Sequence, residues 1–425
     1  MASASLTQPP RSVAIIGAGL GGLTLALSLN RFGINPKLYE LRTPDYDFGG
    51  AIMLSPNALR ILDKLGVYER VKSKGYSFEN LTFTKDHTHE NTGVYHFGQK
   101  EKYGYQALRI YRKDLIAEMR QIVHERGITI EYGRKYTSIL SEDENGVRFA
   151  FDDGSSETAE LLVGADGIHS KVRQYILPDT VPTYSGFLGV TIAIPKSKLR
   201  FPEGQKDYPL PATIVGKTGA YVLAPQRPDG EELFSGRQFA YPVKDRSGWD
   251  ILLKEKSELI SMLQSGKEEW SDFVQSGLEA ASSPEAHSLS IWPFYTVPEM
   301  RTWRSEVGRV LMMGDAAHAI PPTAGQGANQ AFEDAFTLAY LVQKLSPGLD
   351  LATGADVWRK YRQARIAGIL QLNDRMTKMR LLGDKNAPKA EDESKGGIGD
   401  WSDLSWLYLA NVEEDIESEL KKATV

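Results

Sequence analysis

Apolar and polar positions over the first forty residues fall into a strand, a helix and a second strand. Residues 12–16 (SVAII) form a short apolar run, as a buried strand requires. A glycine cluster follows, and Leu20, Leu23, Ala26 and Leu27 then recur at helical spacing until Gly33. Residues 36–40 predict the second strand. Strand, helix and strand within about 30 residues predict a parallel pair joined by a right-handed crossover. Further on, 57–65 reads as a helix stopped by Gly66 and 76–110 has β character. Residues 113–126 read as a helix closed by Gly127. Residues 128–151 alternate short strands with turns, including a hairpin at Glu144-Asn145-Gly146, and 160–163 make another buried strand.

The pattern changes over 181–295, where prolines are dense and strand-like runs such as 188–194 and 219–224 are short. This predicts a separate antiparallel sheet with helices, 249–264 among them. Residues 308–313 return to a buried strand, and 326–345 read as a long helix. Residues 355–381 carry a stripe of Val357, Tyr361, Ile369, Leu372, Met376 and Met379, expected as a packing seam. Residues 383–400 are polar and read as an exposed loop, 401–409 as an apolar segment that docks, and 412–422 as a solvated charged helix end.

Composition then narrows the class. With 41% hydrophobic and 25% charged residues in a chain of 425, a disordered or fibrous protein is excluded. Fifty basic against 55 acidic residues lack the electrostatic footprint of a nucleic-acid binder. The chain has no cysteine, which excludes disulfides, thiolate metal sites, cysteine nucleophiles and a cysteinyl flavin link. No apolar run reaches the roughly 18 residues of a membrane span. The polar start and end carry no secretory, lipidation or peroxisomal signal, so the expectation is a soluble, cytoplasmic chain. His87-x-His89, with His96 nearby, lacks a patterned carboxylate, so no metal is expected. Ser170 lacks the context of a hydrolase nucleophile.

Three stretches carry chemistry. The first, Gly17-Ala18-Gly19-Leu20-Gly21-Gly22, satisfies GxGxxG between a strand and a helix. Gly17 permits the tight turn, Gly19 the approach of a pyrophosphate, and Gly22 close packing of the helix on the strand. Glu40, 18 residues beyond Gly22, is placed for a ribose hydroxyl and would repel a 2′-phosphate. The second, Gly164-Ala165-Asp166-Gly167, follows the strand at 160–163 and by itself is only a turn. The third runs from Gly314-Asp315 through Pro321-Pro322 to Gly325-Gln326-Gly327-Ala328-Asn329. It places a carboxylate at a strand end and a glycine-rich opening at a helix N-terminus, where negative charge is favoured by about 0.3–2 kcal/mol. His318 within it reads as structural.

The three stretches stand in this order, spaced by about 145–150 residues. Together they resemble the single-component FAD-dependent aromatic hydroxylases, such as the salicylate hydroxylases, and the tetracycline-inactivating monooxygenases. The resemblance covers residues 12–345. Two further pieces agree: the segment from Gly49-Gly50-Ala51 through Asn57-Ala58-Leu59 resembles the family's segment along the flavin edge, and Arg112-Lys113-Asp114-Leu115 matches its Arg-x-x-Leu motif. The resemblance implies non-covalent FAD, cradled at its pyrophosphate by Gly17, Gly19, Leu20 and Gly22. Glu40 would hold the adenosine ribose, and Gly50 and Ala51 would lie along the flavin. Arg112, Asp166 and Asp315 would contact the cofactor elsewhere, and Gly325, Gly327, Ala328 and Asn329 would face the pyrimidine edge of the ring.

The fold implied is α/β, a Rossmann-like FAD-binding domain (GR2-type) with an inserted, mostly antiparallel substrate domain and a long C-terminal helix. The expected FAD-binding parts are 1–80, 105–180 and 290–345. Residues 81–104 and 181–289 would bind substrate, and 346–425 would form the C-terminal helical segment. The reaction implied is a monooxygenation: NADPH or NADH reduces FAD, O2 adds as a flavin C4a-hydroperoxide, and one oxygen passes to an electron-rich aromatic or enol. The substrate expected is phenolic or polyketide-like. Phe187, Tyr221, Phe239 and Phe294 are expected to wall the pocket, with Tyr221 and Arg237 as candidates to deprotonate or orient the substrate. The segment Gly189-Val190-Thr191 lacks an arginine that many members of the family carry there. Epoxidation, inactivation of an antibiotic, or a non-catalytic FAD redox sensor are the alternatives on the same scaffold. A second nucleotide-binding domain is not expected, since Gly396-Gly397-Ile398-Gly399 follows a polar run rather than a strand.

Overall fold

The computed structural model describes residues 5–46, 49–205, 207–381 and 403–423, with the side chains of 378–381 excepted. The loop expected at 383–400, the cluster Gly396–Gly399, Trp401 and the side chain of Met379 lie outside what is described. A five-stranded parallel sheet runs in the order Val310–Met312, Leu161–Gly164, Val13–Ile16, Pro36–Glu40, Thr129–Tyr132. The three strands nearest the glycine-rich loops are buried along their whole length. Helices and further strands cover both faces of such a sheet, so its strands are apolar runs rather than alternating ones. Leu20–Arg31 and Gly327–Gln343 pack against each other beside it.

A seven-stranded sheet forms the second layer, ordered His287–Thr296, Thr183–Pro195, Glu232–Ala240, Gly219–Pro225, Ala212–Gly216, Asn80–Lys85, Asn91–His96. Its pairs are antiparallel except Ala212–Gly216 with Asn80–Lys85. The edge strand carries it past the boundary expected at 289, to Thr296; Pro293, which lacks a ladder N–H, is tolerated at that edge. Period-two alternation divides this sheet. Tyr221, Leu223 and Leu233 turn to a core closed by Trp270, Phe273 and Leu278. Their neighbours turn to the cavity described below.

Three helical expectations are corrected. The helix expected at 249–264 is two, Arg246–Lys254 and Lys256–Gln264, broken at Glu255, where ψ is 65°. The break re-aims the second half onto Thr183–Pro195, burying Leu259 and Leu263. The long helix Leu351–Leu381 starts a turn early, because the Asp350 carboxylate accepts from the Thr353 N–H at 2.8 Å. Val412–Ala423 is not solvated all round. Val412, Ile416 and Leu420, spaced by four, are buried while its acids and lysines face outward.

Candidate active site

A cavity of about 790 Å³ lies between the parallel sheet and the seven-stranded sheet, within the roughly 300–1,000 Å³ of small-molecule sites. The loop after Val13–Ile16 builds one end. Gly17 sits at φ +103°, and a Cβ there would stand 2.5 Å from the Ala165 carbonyl oxygen. A Cβ at Gly22 would fall 1.9 Å from the Gly17 carbonyl oxygen. Gly17 thus lets the turn pack against the loop at Ala165–Asp166, and Gly22 seats the helix on its strand. Gly19 differs: nothing lies within 4 Å of a Cβ built there, and it precedes Leu20–Arg31 without a side-chain cap. Gly19 and Leu20 line the cavity, so an uncapped helix N-terminus meets open space.

Glu40 closes its strand against this loop. Its Oε2 accepts from the Ala18 N–H at 2.7 Å and its Oε1 from the Arg42 N–H at 2.8 Å. It thereby fixes the turn from behind the cavity wall. Asp166 is also set back. Its Oδ2 accepts from the N–H groups of Lys171 and Val172 at 2.8 and 3.2 Å, which caps Lys171–Ile176, while Ala165 and Gly167 line the cavity in its place.

Across the cavity, Gly314 at φ +61° turns the chain out of Val310–Met312 and presents Asp315 to the open space. Surrounding protein desolvates this carboxyl and pushes its pKa up, against the pull of His318 and Arg112. Arg112 follows the central strand Ala107–Tyr111 of a small antiparallel sheet, and its N–H donates to the Gly50 carbonyl at 3.1 Å. Its guanidinium lies 5.0 Å from the Trp292 ring centroid and makes no hydrogen bond among the described residues. Burial pushes its pKa down and Asp315 opposes this.

Gly325 takes φ +64°, and a Cβ there would meet the Phe97 ring at 2.9 Å. Helix Gly327–Gln343 then begins without a side-chain cap, with Gly325, Gly327 and Ala328 on the cavity wall beside Ala51, Ile52 and Met53. Gly50 lines a small adjoining recess with Ala51. Asn329 is a correction: its amide donates to the carbonyls of Gly325 and Met53 at 2.6 and 3.2 Å and accepts from the Ser55 N–H. It is fully buried and ties the loop to the strand rather than meeting a ligand. Two uncapped helix ends, an open glycine and an arginine free of protein hydrogen bonds fit a dinucleotide bearing a pyrophosphate and a flavin ring.

The other wall is the apolar face of the seven-stranded sheet, with Ala220, Val222, Ala224, Phe234, Trp292 and Phe294. Of the expected aromatic wall, Phe294 is there. Phe187 and Phe239 do not line the cavity, and Tyr221 faces the opposite way. The Tyr221 hydroxyl is fully buried against Ser235 Oγ at 2.8 Å, and desolvation raises its pKa. Arg237 pairs with Tyr221 across the strands and shares its orientation. It borders the cavity, but its guanidinium donates to the carbonyls of Leu263 and Ser265 at 2.8 and 2.7 Å, a helix C-terminus. Neither candidate is placed to deprotonate a bound substrate. Their place on strands of this sheet had drawn attention to them; strand parity, available only once the register is known, turns Tyr221 to the core and carries the Arg237 guanidinium to the end of the helix Lys256–Gln264.

The structure adds cavity residues that sequence reasoning passed over: Arg109, Gln238, Arg246 and Asp250. Arg109 was legible in principle, two residues before Tyr111 on an apolar strand where a cation is out of place. Among the described residues no group of three or more His, Cys, Asp or Glu side chains could hold a metal ion. No described helix is long and apolar enough to cross a membrane.

The FAD binding domain family matches residues 11–213 and 257–372 of this chain. The chain belongs to that family. This flavoprotein is 29% identical over 406 residues to 3-amino-4-hydroxybenzoate 2-monooxygenase PtmB3 of Streptomyces platensis, covering 93% of this chain and 95% of the relative. It is 28% identical over 384 residues to hispidin-3-hydroxylase of Neonothopanus nambi, covering 83% and 85%. A crystal structure of CtdE with FAD and substrate shares the fold, with a TM-score of 0.77 at 20% identity and 97% and 98% coverage. The protein is an FAD-dependent monooxygenase. Its cofactor is FAD, and NAD(P)H is the reductant typical of its group.

Proposed function

We propose that this monooxygenase uses NADPH or NADH and O2 to hydroxylate a phenolic aromatic or enol substrate. The observation that carries the reading is the continuity of one cavity from the helix N-termini at Gly19 and Gly327 to the apolar wall of Val222, Phe234 and Phe294. Bound FAD supplies the electron transfer to dioxygen and the oxygen insertion. The chain's own residues do the rest. Gly19 and Leu20 receive the pyrophosphate, and Arg112 offers its free donors to the cofactor's phosphate or ribityl region. The Gly327 and Ala328 N–H groups, at a helix N-terminus without a side-chain cap, would stabilise negative charge on the flavin ring. The apolar wall excludes water from the reacting carbon, which protects the oxygen transfer from uncoupling. Two relatives support an aromatic substrate by the names they bear, a hydroxybenzoate monooxygenase and a hispidin hydroxylase.

The test is direct. The purified protein is mixed with NADPH or NADH and a panel of phenols and polyketides, and products are weighed by mass spectrometry. The expected result is nicotinamide oxidation that accelerates with one substrate class and yields a product one oxygen heavier. Oxidation that no panel member accelerates, with hydrogen peroxide as the sole product, would overturn the reading.

A further inference from the structure

Arg109 lines the cavity from the strand Ala107–Tyr111, beside Phe234, and is 4% exposed. Among the described residues it makes no ion pair. Its Nη2 donates to Gln226 Oε1 at 3.2 Å, its guanidinium stacks 4.6 Å from the Phe234 ring centroid, and its Nε finds no acceptor. The orientation of Gln226 is itself fixed. Its amide nitrogen donates to the Tyr111 hydroxyl at 2.9 Å, and that hydroxyl donates in turn to Glu232. The amide therefore offers Arg109 a neutral carbonyl and no charge. Tyr111 adds none, because desolvation and Glu232 both raise its pKa.

A buried cation without a counter-ion is costly, and proteins neutralise such groups or keep them for a ligand. The contrast inside this molecule is informative. Arg362 and Arg365, comparably buried, pair with Glu333 and Asp334, and Arg237 is satisfied by two carbonyls at a helix end. Of these four, Arg109 and Arg237 line the cavity without an ion pair among the described residues, but Arg237 is held by two carbonyls while Arg109 has the single amide oxygen of Gln226. Desolvation pushes its pKa down to about 10, which still leaves it a cation near neutral pH.

We propose that Arg109 is a positioning residue that holds an anionic oxygen of the substrate, a ring carboxylate or an ionised phenol, against the wall of Phe234. The inference rests on the reading of this cavity as the substrate site. A guanidinium delocalises its charge and offers paired donors, so it suits an oxyanion attached to a flat ring that also stacks on Phe234. It would select acidic aromatics over neutral ones of the same shape.

The experiment uses oxidised holoenzyme with no reductant, in the wild type and in Arg109→Met and Arg109→Lys. Binding of 4-hydroxybenzoate and of its methyl ester is read both by flavin difference absorbance and by thermal shift, the second of which does not require flavin. Phenolate capture is read with 4-nitrophenol, whose own absorbance reports its ionisation when bound. The wild type should prefer the acid over the ester by at least about tenfold, or bind nitrophenol as its anion at acid pH. Arg109→Met should abolish whichever preference is present, and Arg109→Lys should keep part of it. Flavin content should be unchanged and ligand-free thermal stability not lowered in Arg109→Met, because a buried charge without a partner has been removed. Equal binding of acid and ester together with neutral nitrophenol in the wild type would overturn the proposal. So would a preference that survives in Arg109→Met, or a variant that loses flavin while keeping the preference, which would mark Arg109 as a cofactor residue. The broader reading fails separately, if no panel member accelerates nicotinamide oxidation.

Discussion

Replacing Arg362 by Met tests the buried charge network under the cofactor loop. Arg362 is fully buried and spans both acids of the helix Gly327–Gln343. Its Nε donates to Asp334 Oδ1 at 2.7 Å, its Nη1 to Glu333 and its Nη2 to Gln330 Oε1. Breaking a buried pair by removing one partner costs about 3–5 kcal/mol, because the remaining charge is stranded. The lower end applies here. Glu333 keeps Arg365 at 2.7 and 2.8 Å and Asn57 at 2.7 Å, while Asp334 keeps His318 and the Gly314 N–H at 2.9 Å. A loss of about 3 kcal/mol is therefore expected for Arg362→Met. Gly314 immediately precedes Asp315, so flavin retention should fall in the same variant. Urea unfolding followed by tryptophan fluorescence is a suitable assay, since Trp358 and Trp303 meet edge to face at 5.2 Å and Trp358 donates to Thr337 in the helix that carries both acids. A double-mutant cycle with Glu333→Gln should give a coupling of about 0.5–3 kcal/mol. A stability loss under about 1 kcal/mol with no measurable coupling would refute the claim that this network holds the loop.

Three further outcomes are expected. Gly22→Ala places a Cβ 1.9 Å from a backbone oxygen; such overpacking costs about 1–3 kcal/mol, which borne by the bound state is roughly a fivefold to 150-fold loss of FAD affinity, measured as the flavin-to-protein absorbance ratio on dilution. Tyr221→Phe should leave turnover and flavin content unchanged and cost about 1–2 kcal/mol by stranding the Ser235 hydroxyl; a large fall in turnover with stability intact would restore Tyr221 to the chemistry. Glu333 sets an acid limit. Burial alone would raise its pKa, but Arg365 and Arg362 outweigh this and pull it down from 4.5 to about 2. The unfolded chain then binds the proton first as pH falls. The stabilisation, about 3 kcal/mol, is complete above pH 4.5 and is lost progressively toward pH 2. Urea midpoints across that window should fall more steeply in the wild type than in Glu333→Gln, and parallel slopes would count against the assignment.

The parts of the site made of backbone were legible in the chain because local sterics decide them. Gly17 and Gly325 take positive φ of +103° and +64°, and a Cβ at Gly22 would strike the Gly17 carbonyl five residues back, so the local backbone itself calls for glycine at all three. The same holds for the parallel strands, whose unbroken apolar runs state that both faces are covered. Side-chain roles were less legible: the spacing places Glu40 at the end of its strand, but its carboxylate there accepts from the Ala18 and Arg42 N–H groups and fixes the turn.

Elsewhere direction depends on contacts far along the chain. A one-residue change of register reverses every side chain in a strand, and the register of Gly219–Pro225 is set by Glu232–Ala240 and Ala212–Gly216. That pairing sends Tyr221 to the core, leaves Val222 and Phe234 in the cavity, and ties the Arg237 guanidinium at the cavity's edge to the Leu263 and Ser265 carbonyls. Asp166 and Asn329 sit in the stretches that the sequence singles out, yet local hydrogen bonds turn both into supports of the loops they belong to. Arg109 shows the reverse. Its sequence neighbours are ordinary strand residues, and its meaning arises only when Gln226 and Phe234, more than a hundred residues away, close around it without a carboxylate. The chain alone thus marked the glycine turns and helix ends that come to line the cavity, because local backbone conformation decides those. Which charge awaits the substrate was decided by the tertiary structure, because an unneutralised cation is defined by everything packed around it.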